Sequence, residues 1–229
     1  MHLASFSSVL TLFACLLGNG CSKEITRSTV AVVFFVRGNV VFGNAEGNDF
    51  QPVTPKSKIH AGDVVRTSGG ASINLGLIPG AFIQLSENSE IKLEDLRLTK
   101  DGNDTAERTL DRRAWIRLNR GRIVTLFKQS DRTASDFGIT TGQITLKPDS
   151  DCLFSVWTDG TTSRATSVRG EVSASADARP PLKIAAGYFS QCPTASKEPI
   201  AASADANAQM DIKTALDVEP ELLDQAAGW

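Results

Sequence analysis

The sequence is poor in the side chains on which most catalytic, metal and nucleic-acid sites depend. Its 229 residues include 2 His, 4 Cys, 1 Tyr and 3 Trp, and its net charge is −2. A dedicated nucleic-acid binder usually carries a clear basic excess, so we predict no nucleic-acid partner. Clusters of His and Cys with metal-ligand spacing are also missing, so we predict no metal and no cofactor.

Catalytic arrangements are similarly restricted. Apart from His2, the only histidine is His60, beside the turn at Gly62-Asp63. Any Ser-His-Asp or Cys-His arrangement would have to use it, and no Gly-x-Ser-x-Gly nucleophile elbow is present. We interpret His60 as a solvent-exposed turn residue and predict that the chain is not an enzyme and has no catalytic residues.

No hydrophobic run is long enough to span a bilayer, which takes about 20 apolar residues. The run Val9–Leu17 has the length of a signal-peptide core, and the first twenty residues contain no Asp, Glu, Lys or Arg. The following Gly18-Asn19-Gly20-Cys21 resembles a lipobox, in which the signal is cut before a cysteine that receives diacylglycerol. We predict a signal peptide over residues 1–20 and lipidation at Cys21, with ordinary signal cleavage nearby as the alternative.

Export assigns the four cysteines to different roles. Cys15 lies within the predicted signal peptide and Cys21 is the lipid candidate. Cys152 and Cys192 remain as an even pair in an oxidising compartment, where disulfides persist. We predict a disulfide between them, with two buried thiols as the competing interpretation.

Beyond a short polar tether at 21–29, the chain reads as a series of short strands bounded by Gly, Asp, Asn or Pro. The segment Ala71–Leu77 is typical, since Ala71, Ile73, Leu75 and Leu77 alternate with small or polar residues. Strands spaced about ten residues apart predict an all-β fold, a single domain of many antiparallel strands in a β-roll or sandwich. This domain is predicted over 30–192. The Ala/Ser/Pro-rich tail at 193–229 is predicted to be disordered or to contain short helices, at Met210–Leu216 and Pro220–Ala227.

A short motif recurs along the predicted strands. Val36–Val40 (VRGNV) reappears as Val168–Val172 (VRGEV), and a looser copy is Leu118–Val124. In each copy a strand meets a glycine, which allows the chain to bend or bulge, and a second strand follows. Three copies indicate stacked or internally similar β units.

The ordered series of glycines and apolar residues resembles a FecR-like domain over roughly residues 30–190. The residues that carry this resemblance are Gly38 and Val40; Gly62, Asp63 and Thr67; Ile73, Leu75 and Leu77; Gly80, Ile83 and Leu85; Leu118, Gly121 and Ile123; Phe137 and Thr140; Gly170 and Val172; and Gly187. At the family's frequent Gly-Thr-x-Phe step this chain has Asp149–Phe154, in which Phe154 is kept, Gly-Thr is absent and a cysteine is introduced. FecR regulators also have a cytoplasmic region and a transmembrane helix, which we do not find here. The resemblance therefore implies the extracytoplasmic module alone, without the anti-sigma role.

One cluster of basic residues stands out between positions 108 and 122. On the predicted strand Ala114–Leu118, Arg117 shares the face of Trp115, opposite Ile116 and Leu118. A Trp and Arg surface suits an anionic partner, although Glu107 and Asp111 are interleaved and a solvated face is the alternative. The predicted patch consists of Arg112, Arg113, Trp115, Arg117, Arg120 and Arg122.

Two functional hypotheses follow. The first is a lipid-anchored bacterial envelope protein, in the periplasm or at the outer membrane, whose FecR-like domain binds or senses a protein or an envelope polysaccharide. The alternative is a structural or assembly subunit that pairs with neighbours through exposed strand edges. The Arg cluster slightly favours binding.

The predicted lipid anchor can be tested by intact mass. Protein recovered from a bacterial membrane fraction should carry the mass of a lipid at Cys21, and Cys21→Ala should lose both the added mass and membrane retention. An unprocessed chain of full mass in the cytosol would contradict the prediction of export.

Overall fold

The computed structural model describes residues 24–44, 46, 49–102, 108–130, 133–176, 180–193, 196 and 198–228. The predicted signal peptide and Cys21 lie outside them. The first ten strands are β1 (Glu24–Ser28), β2 (Val30–Arg37), β3 (Val40–Asn44), β4 (Gln51–Pro52), β5 (Ile59–His60), β6 (Asp63–Thr67), β7 (Ser72–Ile78), β8 (Ala81–Leu85), β9 (Glu90–Asp101) and β10 (Thr109–Phe127). The others are β11 (Ala134–Thr140), β12 (Thr145–Pro148), β13 (Cys152–Thr158), β14 (Ser163–Arg169), β15 (Glu171–Ser175), β16 (Leu182–Ala185), β17 (Tyr188–Cys192) and β18 (Ile200–Ala201), followed by a 3-10 turn (Ala202–Ala204) and helix α1 (Ala206–Ala227).

The strands form two layers that are continuous with each other, which confirms the predicted all-β class. Sheet 1 runs in the order β4–β3–β6–β9–β10–β11–β12–β15–β16, with β1 beside the far half of β9. Sheet 2 runs β2–β7–β8–β10–β13–β14–β17–β18. The long strand β10 belongs to both, and its pairing with β11 is parallel while its other pairings are antiparallel.

The recurring glycine motif marks the points where the chain passes between the sheets. Gly38 joins β2 to β3, Gly121 divides β10, and Gly170 joins β14 to β15. Their φ angles are +72°, +90° and +72°, in the left-handed region that favours glycine. Each glycine packs on a small residue at the start of another strand, and the pairs are Gly38 on Ala71, Gly121 on Ser89 and Gly170 on Cys152.

The register around the three corners is the same. In each, the residue two positions after the glycine pairs with the residue four positions before the small one. These pairs are Val40 with Thr67, Ile123 with Leu85 and Val172 with Pro148. The predicted internal similarity is therefore confirmed: the chain contains three equivalent corners, in each of which a glycine packs on a small residue with the same strand register.

The main core lies between the sheets. It is built from every second residue of the strands, because successive side chains point to opposite faces of a sheet. Ile73, Leu75 and Leu77 of β7 are fully buried there, and so are Ile116 and Leu118 of β10. A second apolar cluster lies on the outer face of sheet 2, beneath α1.

Helix α1 corrects the prediction for the tail. We expected two short helices separated before Pro220, but one helix of 22 residues runs through Pro220. Pro220 lies on the solvent side of the helix. The helix buries Ala215, Val218 and Leu222 against sheet 2, and this packing outweighs the local cost of the proline.

A buried carboxylate fixes α1 to the sheet. Asp211 is fully buried, with Arg122 Nη2 2.8 Å from one carboxylate oxygen and Arg164 Nε 2.6 Å from the other. Thr166 Oγ1 donates a further hydrogen bond of 3.1 Å. Removing one partner of such a group leaves an uncompensated buried charge, at a typical cost of about 3–5 kcal/mol.

The N-terminal tether also differs from expectation. Its described residues form β1, which pairs antiparallel with residues Arg97–Asp101 of β9. Backbone pairing at a sheet edge needs no apolar side chains, so the polar composition of this segment did not indicate it. Within the described ranges, no helix is both long and apolar enough to cross a membrane.

The close packing at the glycine corners can be tested with two alanine substitutions at almost identical φ angles. A methyl group at Gly170 would overlap the carbonyl oxygen of Asp151 and lie 2.9 Å from Cys152 Cβ, whereas Gly70, at φ +71°, has open space around it. Gly70→Ala should cost only the left-handed strain, about 1–2 kcal/mol. Gly170→Ala should cost roughly 1–3 kcal/mol more in urea unfolding, because the corner must open. Equal losses for the two variants would contradict the close packing.

Candidate functional site

The predicted basic patch does not form one surface. Arg112 points into the protein, is 4% exposed, and donates to Ser135 Oγ at 2.6 Å and to the carbonyl oxygen of Lys128 at 2.8 Å. It also donates to the carbonyl oxygen of Pro79. Arg112 therefore ties loops together and is not available to a partner.

Two further members of the patch are separated from the rest. Arg122 lies under α1 and pairs with Asp211, on the outer face of sheet 2. Arg120 is exposed beside the Gly121 corner, 4.0 Å from Glu90. For Arg122 the cause is the corner itself, because β10 leaves sheet 1 at Gly121 and its later residues belong to the other layer.

The remaining three residues lie together on the outer face of sheet 1, as the alternation predicted. Arg113, Trp115 and Arg117 are neighbours on β10, and each meets a carboxylate. Arg113 Nε lies 2.8 Å from Asp95 and its Nη1 lies 2.8 Å from Asp136. Arg117 Nε lies 2.7 Å from Glu94. We call this surface the Trp115 face; its other members are Lys92, Arg97, Asp111 and Lys147.

Asp136 is the centre of the Trp115 face. It accepts a hydrogen bond of 3.1 Å from Trp115 Nε1 and one of 3.1 Å from Lys147 Nζ. Burial acts to raise the pKa of Asp136, but these hydrogen bonds and the charges of Lys147 and Arg113 outweigh it, so the pKa lies below its ordinary value. The carboxylate is therefore charged at neutral pH.

A second candidate surface is an apolar cavity where the two sheets separate. The short turn at Gly187 joins β16 of sheet 1 to β17 of sheet 2, and the cavity opens between the far ends of these strands. Its volume is about 450 Å³, within the usual range for ligand pockets. One wall is apolar, with Ile144, Ala174, Ala176, Pro180, Pro181 and Leu182, and the other carries Ser190, Gln191, Cys192 and Ser196. We call it the wedge cavity.

Strand β16 ends sheet 1, and its first residue, Leu182, lines the wedge cavity. Within the described residues, its paired strand is β15 alone. The backbone groups on its other side therefore face away from the sheet, as at any edge strand. Sequence analysis did not identify this surface, because it arises from the divergence of two sheets and no motif marks it.

The predicted disulfide is wrong. Cys152 and Cys192 are both thiols. Cys152 lies beyond the Arg169 end of β14, whereas Cys192 pairs with Ser163 at the opposite end. Six residues of strand separate these ends, about 20 Å at 3.3 Å per residue, far beyond the reach of a disulfide. Cys152 instead fills the Gly170 corner, where the other two corners have Ala71 and Ser89.

His60 lies at the surface of the protein. The side chain of His60 is 59% exposed, as predicted, with Nδ1 3.8 Å from Asp63. No cluster of three or more His, Cys, Asp or Glu able to hold a metal occurs in the part of the chain that the structure covers.

Comparison with known proteins agrees with the resemblance seen in the sequence. Residues 63–173 match the family model described as FecR protein, so the chain contains a FecR-like domain. Two crystal structures of a candidate anti-sigma factor from Parabacteroides distasonis ATCC 8503, at 1.65 and 2.50 Å resolution, are similar at 12% identity and a TM-score of 0.42. That similarity covers 60% of this chain and 57% of the other. No curated protein matches the chain.

The role of Cys152 as a corner residue leads to a test at alkaline pH. Burial, with smaller contributions from Asp151 and Asp149, raises the pKa of this thiol from 9.0 to about 12. Between these values only the unfolded chain ionises, so the free energy of unfolding should fall with pH by up to about 1.4 kcal/mol per unit. Cys152→Ala should fold, because Ala71 fills the equivalent corner, and should lack this contribution.

The measurement is urea unfolding of both proteins near pH 7 and near pH 10. At each pH the free energy of unfolding of Cys152→Ala is subtracted from that of the original protein, so the contributions of all other titrating groups cancel. The stability of the original protein relative to Cys152→Ala should decrease at the higher pH. A difference that stays constant would show that Cys152 is not held as a buried thiol.

Proposed function

We propose that this FecR-like domain protein is a non-catalytic binding or sensing module of the bacterial cell envelope. It is exported, held in the periplasm or at the outer membrane by a lipid on Cys21, and recognises a partner through its β domain. The FecR family match over 63–173 supports a role in sensing or regulation, because members of this family act as regulators. It also supports a place in the cell envelope, because FecR domains of regulators lie outside the cytoplasm.

The wedge cavity is the observation that carries the proposal. It combines apolar walls, a volume of about 450 Å³ and an adjacent edge strand. An edge strand offers backbone donors and acceptors to an extended chain, and a neighbouring apolar cavity accepts alternate side chains of that chain. Of the two partner classes considered, a protein segment fits this surface better than a glycan, whose hydroxyl groups gain little from apolar walls.

The alternative function, as a structural or assembly subunit, uses the same edge. If β16 of one molecule pairs with a strand of a second copy, the chain self-associates through this surface. Lys183 acts against that outcome. Its ammonium is exposed on β16 and lies 2.7 Å from Glu171, and charged side chains on an edge strand discourage edge-to-edge pairing. A partner that is a different protein is therefore favoured over a second copy of this chain.

Site-specific crosslinking in cells tests this function. A photoreactive residue at Ala176, on the wall of the wedge cavity, should give a discrete crosslinked species in the native envelope. The same residue at Thr26, on β1 beside the far half of β9, is the matched control and should give none. Leu182→Glu, which places a charge in the apolar wall, should reduce the yield at Ala176 at least about tenfold.

Mass spectrometry of the crosslinked species separates the hypotheses. A different protein supports the binding module, and a second copy of this chain supports the assembly alternative. If position 176 gives no species beyond that at position 26, the wedge cavity is not a partner site and the proposal fails.

A further inference from the structure

We infer that the Trp115 face is a second binding surface, and that its ligand is a glycan strand of low net charge stacked on the indole ring of Trp115. This inference extends the proposed function by assigning the envelope glycan to a surface separate from the wedge cavity. Four strand spacings divide β10 from β16, which is about 19 Å at 4.8 Å per strand.

The indole ring is held flat against the sheet. Trp115 pairs across the strands with Gly138 of β11, and a methyl group at Gly138 would lie 2.8–3.0 Å from three ring atoms. Gly138 is not among the residues with positive φ, so its backbone does not require glycine. The bare glycine instead makes room for the ring. Lys147 Nζ, at 4.8 Å from the ring centre, and Arg113 Cζ, at 5.8 Å, lie over the ring.

The ring is also fixed in orientation. Its Nε1 donates to Asp136, and Asp136 is in turn held by Arg113 and Lys147. Arg113 bridges Asp136 to Asp95, so the polar groups around the ring form one connected network. A rigid aromatic surface loses little conformational entropy on binding, which favours its use as a recognition platform.

The polar rim suits hydroxyl groups. Sugar hydroxyls both donate and accept hydrogen bonds, so they can bond to carboxylates and a guanidinium at the same time. The electron-rich face of an indole attracts the weakly positive C–H groups that line the flat side of a pyranose ring. A ring stacked on Trp115 would have Asp136, Asp95 and Arg113 beside it.

The net charge of the Trp115 face determines which class of glycan it can bind. Its cations are Lys92, Arg97, Arg113, Arg117 and Lys147, and its carboxylates are Glu94, Asp95, Asp111 and Asp136, so five positive charges oppose four negative ones. A net charge of +1 spread over paired groups attracts a polyanion only weakly. The face therefore complements a glycan that is uncharged or weakly acidic, and the strongly anionic partner expected from the sequence is disfavoured.

Lys147 provides the decisive variant because its ammonium lies 4.8 Å from the centre of the Trp115 ring. A ligand that stacks on the ring must displace this ammonium. Lys147→Ala should then strengthen glycan binding by roughly two- to fivefold, the equivalent of one cation–π contact. If the face instead bound an anion through its positive charge, the same substitution would weaken binding.

The experiment is calorimetric titration of the folded protein with three probes: a hexamer of β-1,4-linked N-acetylglucosamine, solubilised peptidoglycan glycan strands, and a heparin oligosaccharide. We expect saturable binding of the first or second probe, weakened at least about tenfold by Trp115→Ala and strengthened by Lys147→Ala. Trp157→Phe, on the outer face of sheet 2, should leave binding unchanged and serves as the matched control.

Three outcomes would overturn the inference: no binding of either low-charge glycan, binding of heparin alone, or glycan binding that survives Trp115→Ala. Near-ultraviolet circular dichroism of each variant verifies that the fold is retained. Leu182→Glu, the wedge-cavity variant, should bind glycan normally. A wrong assignment of the Trp115 face can therefore be distinguished from a wrong assignment of the wedge cavity.

Discussion

The fold depends on the close approach of glycine to a small residue at three corners. Two sheets can share strands only if the chain bends sharply between layers, and each bend brings two backbones together. A side chain on Gly38, Gly121 or Gly170 would overlap its neighbour, and the left-handed φ at these positions further favours glycine. Because the register is the same at every corner, the alternation of inward and outward side chains is preserved from one sheet to the next.

Ion pairs and hydrogen bonds determine which of the clustered arginines remain accessible at the protein surface. The sequence places several arginines close together near residue 117, but the alternation of β10 turns Arg112 inward and the Gly121 corner places Arg122 in the other layer. Arg112 is buried among carbonyl oxygens, and Arg122 joins Arg164 at the buried carboxylate of Asp211. The latter contact makes α1 part of the folded domain, since the helix is held by a charged pair as well as by its apolar face.

The two candidate surfaces follow from different features of the architecture. The wedge cavity exists because sheet 1 ends at β16 while sheet 2 continues from β17, and among the described residues no further strand joins the two layers there. The Trp115 face exists because Gly138 leaves space for an indole ring on a flat part of sheet 1. One surface is apolar and concave and the other is polar and flat, which suits them to different chemical classes of ligand.

The sequence by itself determined the all-β class, the similarity among the three glycine motifs, the FecR-like character and the shared face of Trp115 and Arg117. The FecR-like character rests on resemblance to a known family. The other properties follow from local periodicity and from glycine placement, which short segments carry on their own. Only the tertiary structure decided the separation of Cys152 from Cys192, the scattering of the arginines, the single helix through Pro220 and the position of the wedge cavity. Each of these depends on which distant strands become neighbours, and that pairing is set by the packing of the whole core rather than by any segment read alone.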